Sequence, residues 1–203
     1  MKLYELDTLH TVIFGAGKAA PGIEAWLAAG GGRLLGAWAT DIGPLNQVLL
    51  LREFDSPEAL LAERERARRA DDPFGCTEHL VGLSMDSYRP FAFLPPVEVG
   101  DFGPAYEFRT YRTRINGIAP TEAKWRDAVP PRSAYSRLTI AMYAVDGPAR
   151  VTQVWPYRSL AERQEARARS VADGKWPPEG GPDWLSAEMY SAVALPLPFS
   201  PLR

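Results

Sequence analysis

The sequence contains very few of the residues that bind metals or form disulfides. Its 203 residues include one cysteine, Cys76, and two histidines, His10 and His79. A single cysteine excludes an intrachain disulfide and a thiolate cluster, and neither histidine belongs to a spaced metal-binding motif. Haem is not expected either, because His10 is placed at a strand end and His79 in the segment between the two halves. We therefore expect no metal and no cofactor.

A surplus of positive charge and a long apolar run are also missing. With 23 basic and 25 acidic residues the net charge is −2, which argues against nucleic-acid and anionic-membrane partners. The most basic stretch, "ERERARR" at 63–69, alternates arginine with glutamate. No stretch approaches the roughly 18 apolar residues of a membrane span, and "MKLYELDTLH" lacks the apolar core of a signal peptide. The expected location is the cytoplasm.

Two common catalytic or nucleotide-binding motifs do not occur. The glycine-rich stretch "GAGKAAPG" at 15–22 lacks the spacing of a phosphate-binding loop. The chain also has no nucleophile elbow of the G-x-S-x-G type. No single motif therefore names a reaction.

The main positive feature is an internal repeat. "YELDTL" begins at Tyr4 and "YEFRTY" at Tyr106, 102 residues later. The pair Gly43-Pro44 recurs as Gly147-Pro148, 104 residues on, and the helix-capping Ser56 recurs as Ser159, 103 residues on. A fixed offset between segments in the same order indicates a duplicated unit. We expect two units, at 1–103 and 104–203.

The pattern of each half predicts an α+β unit of the order β-α-β-β-α. The first helix is expected to begin near Pro21 and to end before 30–32, and the second begins at a Ser-Pro cap. This order gives an antiparallel sheet with both helices on one face, a ferredoxin-like unit. The uncovered faces of two such sheets would pack together into an α+β barrel. The proline-bearing segments 91–96 and 193–198 are expected at sheet edges.

Several motifs together resemble the NIPSNAP family. They are the strands "LYELDTL" and "YEFRTY", the run "LGAWATDIGPLNQVLLLREFDS", the segments "DDPFG" and "GKWPP", and the terminal "PFSPLR". The resemblance covers about residues 3–200. Asp7 stands where the family usually has arginine, and Arg52 where tryptophan is common, although the second half keeps Trp155. The resemblance implies a dimeric α/β-barrel fold shared with antibiotic-biosynthesis monooxygenases, whose relatives include cofactor-free oxygenases, haem-degrading enzymes, lyases and isomerases.

The candidate site residues come from the second and third strands of each half and from the loop that joins them. In the first half, Leu50 and Arg52 share a strand face, Trp38 comes from the neighbouring strand, and Asn46 from the loop between them. In the second half, the equivalent face holds Gln153, Trp155 and Tyr157. An apolar wall with a few polar groups is typical of a small-molecule pocket. The alternative interpretation is that these residues fill a core.

Four residues are candidates for the chemistry. His10 has the side chain best suited to proton transfer near neutral pH, and Tyr157 and Tyr106 are alternatives. Arg52 would bind an oxygen-bearing or anionic group. Arg109 is expected to face Glu5 and Asp7 inside the barrel and to neutralise carboxylates from both halves. These charges form either a polar network that fixes the docking of the halves or a charged, substrate-binding pocket inside the barrel.

Two classes of function follow. One is a cofactor-independent oxygenase, lyase or isomerase acting on a small hydrophobic or aromatic molecule, with a working pocket in the first half. The other is a non-catalytic binding or accessory protein. On the first interpretation, Arg52→Ala abolishes ligand binding at little cost in stability, whereas Trp155→Ala mainly destabilises. A homodimer is expected, since outward helices and edge strands would remain exposed.

Overall fold

A computed structural model of the protein shows a closed barrel of eight antiparallel strands with four helices outside it. The structure describes residues 2–203, with the backbone alone at 181 and 182. In chain order, the elements are β1 (Leu3–Thr11), α1 (Gly15–Ala28), β2 (Arg33–Ile42), β3 (Gln47–Phe54), α2 (Pro57–Arg69), β4 (Leu80–Pro90), β5 (Ala105–Thr113), α3 (Ile118–Ser133), β6 (Ile140–Ala144), β7 (Arg150–Tyr157), α4 (Leu160–Ala172) and β8 (Leu185–Pro196).

The two halves have the same topology. The strand order is β4-β1-β3-β2 in the first and β8-β5-β7-β6 in the second, which is the order of a ferredoxin-like unit. The helices α2 and α4 begin at the predicted caps, where Ser56 Oγ accepts from Ala59 N at 3.2 Å and Ser159 Oγ accepts from Glu162 N at 3.1 Å. The α+β fold of two ferredoxin-like repeats in one barrel is confirmed.

The barrel closes because the last strand of each half also pairs with an edge strand of the other half. β4 pairs with β1 of its own half and with β6 of the second half, and β8 pairs with β5 and with β2. The expectation that the proline-bearing segments lie at sheet edges is therefore wrong for 193–196, which end a strand that is paired on both sides. Pro196 is the last residue of that strand, where a missing N–H removes little of the ladder. Residues 91–96 follow the end of β4 and belong to no strand.

One helix boundary also differs from the prediction. α1 begins at Gly15, so the glycine-rich stretch forms its first turn and Pro21 lies inside it. Gly15 packs against β1, and a Cβ at this position would lie 2.9 Å from Thr11 Cβ. Glycine therefore lets the helix start directly against the strand that precedes it.

The barrel interior is one apolar core shared by both halves. It is filled by fifteen buried side chains: Tyr4, Leu6, Leu35, Trp38, Leu49, Leu51, Tyr88, Val97, Tyr106, Phe108, Ile140, Met142, Val154, Ala194 and Leu202. Trp38 of the first half packs against Tyr106 and Phe108 of the second, with ring centroids 5.2 and 5.1 Å apart. The outward faces of the two sheets form separate layers beneath the helices.

Exposed apolar side chains concentrate at the barrel end where β1, β2, β5 and β6 finish. Eight of the fifteen large apolar side chains exposed in the described part of the chain lie there: Val12, Ile13, Phe14, Ile42, Leu45, Val81, Ile115 and Val145. Phe14 is 86% and Ile115 93% exposed. None of the helices in the described residues is long and apolar enough to cross a membrane.

The homodimer stays a prediction, and the closed barrel removes one reason for it, since its strands have no free edge. The exposed apolar end is where a second copy would bury most apolar surface. If copies join there, a chain carrying both Phe14→Asp and Ile115→Asp should sediment as a monomer at micromolar concentration while the parent chain sediments as a dimer. Leu61→Asp, an exposed apolar position on α2, is the control and should leave the dimer intact. A parent chain that sediments only as a monomer contradicts the prediction.

Candidate functional site

The predicted site residues of β3, β5 and β7 lie on the outward faces of the two sheets, beneath the helices, rather than around a cavity inside the barrel. Leu50 belongs to the apolar layer under α1, and Trp155 and Tyr157 belong to a layer that contains Ala166 of α4. Strand alternation directs Tyr4 and Leu6 inward instead. The placement of the pocket inside the barrel is therefore not what the structure shows.

In the first half, Arg52 sits at the centre of a buried ion cluster. Its side chain is 1% exposed and donates to Glu5 Oε1 at 2.7 Å, Asp7 Oδ2 at 3.1 Å and Glu63 Oε2 at 3.2 Å. Arg64 also pairs with Glu5, and Arg66 pairs with Glu63. Three arginines thus face three carboxylates, and the donors of Arg52 are already engaged by the protein.

The carboxylates of this cluster do not share their charge equally. Asp7 is fully buried and its Oδ1 has no hydrogen-bond partner. Burial raises the pKa of Asp7, Arg52 lowers it and the Glu5 carboxylate raises it, with a net pKa of about 8. Asp7 therefore favours its protonated form at neutral pH, and the arginines are balanced by Glu5, Glu63 and Asp146, the last of which pairs with Arg64.

In the second half, Arg109 does not reach the carboxylates of the first, so that prediction is wrong. Its Nη1 donates to Glu107 Oε1 at 2.7 Å and its Nε to Tyr111 Oη at 2.6 Å. The faces that bear Glu5 and Glu107 both look outward, and the barrel separates them. Each half therefore neutralises its own buried glutamate.

Two arginines of α4 also lie close to Glu107. Its Oε1 also accepts from Arg163 Nη2 at 2.5 Å and from Ser191 Oγ at 2.8 Å, and Arg167 Nη1 lies 3.9 Å from Oε2. Burial alone would raise the pKa of Glu107, but the hydrogen bonds from Arg163 and Arg109 hold it below its ordinary value. Glu107 is therefore a carboxylate at neutral pH.

Some buried polar atoms in this half have no partner. Glu107 Oε2 accepts no hydrogen bond, and Arg163 Nε donates none. Gln153 Oε1 accepts from Trp155 Nε1 at 2.8 Å, but Gln153 Nε2 is unpartnered although the residue is 1% exposed. Unsatisfied buried groups are costly and concentrate at functional sites.

A cleft of about 260 Å³ opens beside these groups. It lies between α3, α4 and the start of β8, and its lining consists of Tyr111, Trp125, Arg167, Val171, Trp176, Pro177, Pro178, Leu185 and Met189. Trp125 and Trp176 meet edge to face at 4.9 Å, and Trp176 lies 6.1 Å from Trp155. Tyr111 and Arg167 join the cleft wall to the polar cluster around Glu107. We call this space the tryptophan cleft.

A second cleft, of about 360 Å³, lies at the barrel end where β4 finishes. Its lining includes Tyr4, Arg89, Phe91, Glu122 and three prolines. Although it is larger, its walls are mostly the proline-bearing segment. The tryptophan cleft is the better candidate because aromatic rings and buried polar groups meet in it.

The remaining predicted residues lie away from this cleft. His10 is half-buried at the end of β1, with Nδ1 3.3 Å from Gln47 Nε2. Asn46 is exposed in the turn between β2 and β3, and Trp38 is inside the barrel. Tyr157 lies at the opposite end of the barrel from His10, so the structure does not bring these two together. In the described residues no group of three or more His, Cys, Asp and Glu side chains could hold a metal.

Sequence reasoning missed Trp125, Trp176, Arg163 and Arg167. The two arginines are four residues apart on a helix, a spacing that places both on one helix face. That face also holds the buried Ala166 and Ser170, so a buried cationic stripe was detectable. The two tryptophans carried no comparable signal, because they come from separate elements.

The family profile of NIPSNAP matches residues 1–82 and 106–201, one match for each half. The chain belongs to the NIPSNAP family. A protein described as a NipSnap homolog from Dictyostelium discoideum is 22% identical over 178 residues, which cover 86% of this chain and 78% of the relative.

Two solved structures share the whole fold of this NIPSNAP chain at low identity. An anthrone oxidase-like protein covers 97% of this chain and 91% of its own length, with 13% identity and a TM-score of 0.68. A proposed monooxygenase from Lactobacillus acidophilus covers 96% and 93%, with 9% identity and a TM-score of 0.67. Likeness of these two at such identity shows the fold. A NIPSNAP protein of unknown function from Agrobacterium tumefaciens, 26% identical, covers 50% of this chain and 96% of its own, with a TM-score of 0.45.

The geometry changes the expected effect of Arg52→Ala. Removing this cation leaves the buried carboxyl groups of Glu5, Asp7 and Glu63 without their shared partner, so the free energy of unfolding should fall by roughly 3–5 kcal/mol. The control is Arg33→Ala, whose side chain is 52% exposed and lies 3.7 Å from Glu53; it should cost less than about 1 kcal/mol. Urea unfolding of the two variants measures the difference. A cost for Arg52→Ala as small as that of Arg33→Ala would restore the interpretation of Arg52 as a ligand-binding residue.

The raised pKa of Asp7 predicts a pH-dependent stability. Because the folded-state pKa of about 8 exceeds the unfolded value of about 3.9, the folded protein binds this proton more tightly. The resulting stabilisation is complete below about pH 4 and is lost as the pH rises to about 8. In the parent chain, the free energy of unfolding should be lower at pH 8 than at pH 5. In Asp7→Asn this decrease should be smaller by more than about 1 kcal/mol, as measured by urea unfolding at the two pH values. Asp71→Asn, at an exposed position, should behave like the parent; equal losses in all three would contradict the prediction.

Proposed function

We propose that this NIPSNAP chain binds a small aromatic or otherwise apolar molecule in the tryptophan cleft and acts on it without a cofactor. The observation that carries the proposal is the meeting of Trp125, Trp176 and Tyr111 around a cleft that leads to buried polar groups. Flat aromatic walls favour a flat ligand. A volume of about 260 Å³ suits a molecule of one or two rings.

The groups next to the cleft could support proton transfer and charge stabilisation. Glu107 is a carboxylate with one unpartnered oxygen, and Arg167 lies between it and the cleft. A carboxylate can accept a proton from a phenol or an enolisable carbon, and an arginine can hold the oxygen on which negative charge develops. The descriptions anthrone oxidase-like and monooxygenase belong to the structural neighbours; a related oxidation is what we propose to test for this chain.

The second candidate is binding without turnover, and one observation favours it. The arginines that surround Glu107 hold the pKa of its carboxyl below the ordinary value, which weakens the carboxylate as a base. A NIPSNAP chain of this kind would carry or sense a small molecule in the cytoplasm. Both candidates use the same cleft and differ only in whether product forms.

The cleft can be tested by filling it. Val171, on α4, lines the cleft and is 56% exposed, so Val171→Trp should block it without disturbing the core. The matched control is Arg68→Trp, which places the same ring at the equivalent, exposed position of α2 in the first half. Binding of 1-naphthol, followed by quenching of tryptophan fluorescence, should weaken at least about tenfold in Val171→Trp and stay unchanged in Arg68→Trp. Equal binding to both variants would place the ligand elsewhere.

Oxygen consumption separates the two candidates. Oxygen uptake in the presence of 1-naphthol should be faster with the parent chain than with Val171→Trp, because only the parent has an open cleft. Binding of 1-naphthol together with equal oxygen uptake by the two proteins would leave the binding role and remove the oxidase.

A further inference from the structure

The two halves differ in the charge balance beneath their helices, although they share one scaffold. In the first half, Arg52, Arg64 and Arg66 pair with the carboxylates of Glu5, Glu63 and Asp146 and with the carboxyl group of Asp7. The second half has one equivalent carboxylate, Glu107. Its positions equivalent to Asp7 and Glu63 hold Arg109 and Ala166. The second layer therefore has fewer acidic side chains than the first.

The cations of the second layer have no other carboxylate to pair with. Arg109, Arg163 and Arg167 all lie within salt-bridge distance of Glu107, and in the described part of the chain none of the three pairs with another acidic side chain. A fourth, Arg132, is 2% exposed and stacks on Trp155 at 4.6 Å. Burial lowers the pKa of Arg132, and the Arg167 cation adds to that effect. Four guanidinium groups thus surround one carboxylate.

Part of this surplus positive charge lines the tryptophan cleft. Arg167 lines the cleft with its side chain 34% exposed. Behind it, Arg163 Nε is buried and donates no hydrogen bond. A buried surplus of positive charge is unfavourable unless an anion enters, and guanidinium donors bind carboxylate and similar oxygens by charge-assisted hydrogen bonds.

We infer that the tryptophan cleft is selective for an aromatic molecule that carries a negatively charged oxygen, such as a carboxylate or phenolate, held by Arg167 with Arg109 and Arg163 behind it. The inference rests on the proposed function, since it names the class of molecule that enters the same cleft. The ring packs against Trp125 and Trp176 in the cleft wall, and its oxyanion faces the sheet. The first half cannot bind such an anion in its equivalent layer, because its cations are already matched by carboxylates.

The test compares two probes of the same shape, 1-naphthoate and 1-naphthamide, which differ in charge. Isothermal titration of the parent chain should show naphthoate binding at least about tenfold more tightly, a difference that high salt reduces. Arg167→Gln should weaken naphthoate about tenfold and leave naphthamide unchanged. Arg169→Gln is the control, on the same helix but with a 66% exposed side chain that pairs with Glu165, and it should bind both probes like the parent. A thermal melt of each variant verifies that it is folded.

The outcomes separate this inference from the proposed function. If naphthoate and naphthamide bind equally, or if Arg169→Gln and Arg167→Gln have the same effect, the inference fails while the cleft stands. The inference also fails if 1-naphthol binds and naphthoate does not. If neither naphthoate, naphthamide nor 1-naphthol binds the parent chain, the proposed function itself fails.

Discussion

The pairing between the edge strands of the two halves determines the rest of the structure. A four-stranded ferredoxin-like sheet has an open edge on each side and an apolar face without cover. Here β4 and β8 each pair with a strand of the other half, so both edges disappear and the two apolar faces enclose one core. Because that core draws side chains from all strands, a change in its interior affects both halves together.

The layers beneath the helices are less bound by this constraint. Each layer is built mainly from one half, with a few residues of the other such as Leu197 and Phe91, so most of its residues can change without disturbing the other half. The two layers differ in charge. The first holds a set of ions centred on Arg52, whereas the second has Trp155 at that position. In the second layer, Arg167, with Arg109 behind it, places positive charge beside the cleft.

The contrast between the layers also explains why fold likeness says little about activity. At 9–13% identity, likeness of the barrel transfers no residue roles to this chain. In this NIPSNAP chain, Arg52 donates to three carboxyl groups, whereas Asp7 Oδ1, Glu107 Oε2 and Gln153 Nε2 have no hydrogen-bond partner. Such local departures from a satisfied structure are typical of sites that bind something else.

The sequence predicted the repeat, the order of helices and strands, the serine caps and the barrel. Each of these depends on short-range patterns or on the offset between the two copies. The family also followed, from motifs spread over both halves. The start of α1 did not, because glycines that usually mark a turn here allow close packing of a helix on β1. The closing of the barrel by β4 and β8 depends on pairing between halves, which no local pattern records.

The sequence by itself determined which residues share a strand face: Glu5 with Asp7, and Glu107 with Arg109. Only the tertiary structure decided which face looks into the barrel. Alternation distinguishes a buried face from a solvated one, but both faces of this sheet are buried, one against the opposite sheet and one against the helices. Glu63 reaches Arg52 from α2, and Arg163 and Arg167 reach Glu107 from α4. The position of the cleft therefore depended on packing between elements, since Trp125, Trp176 and Arg167 meet only after the second half has folded.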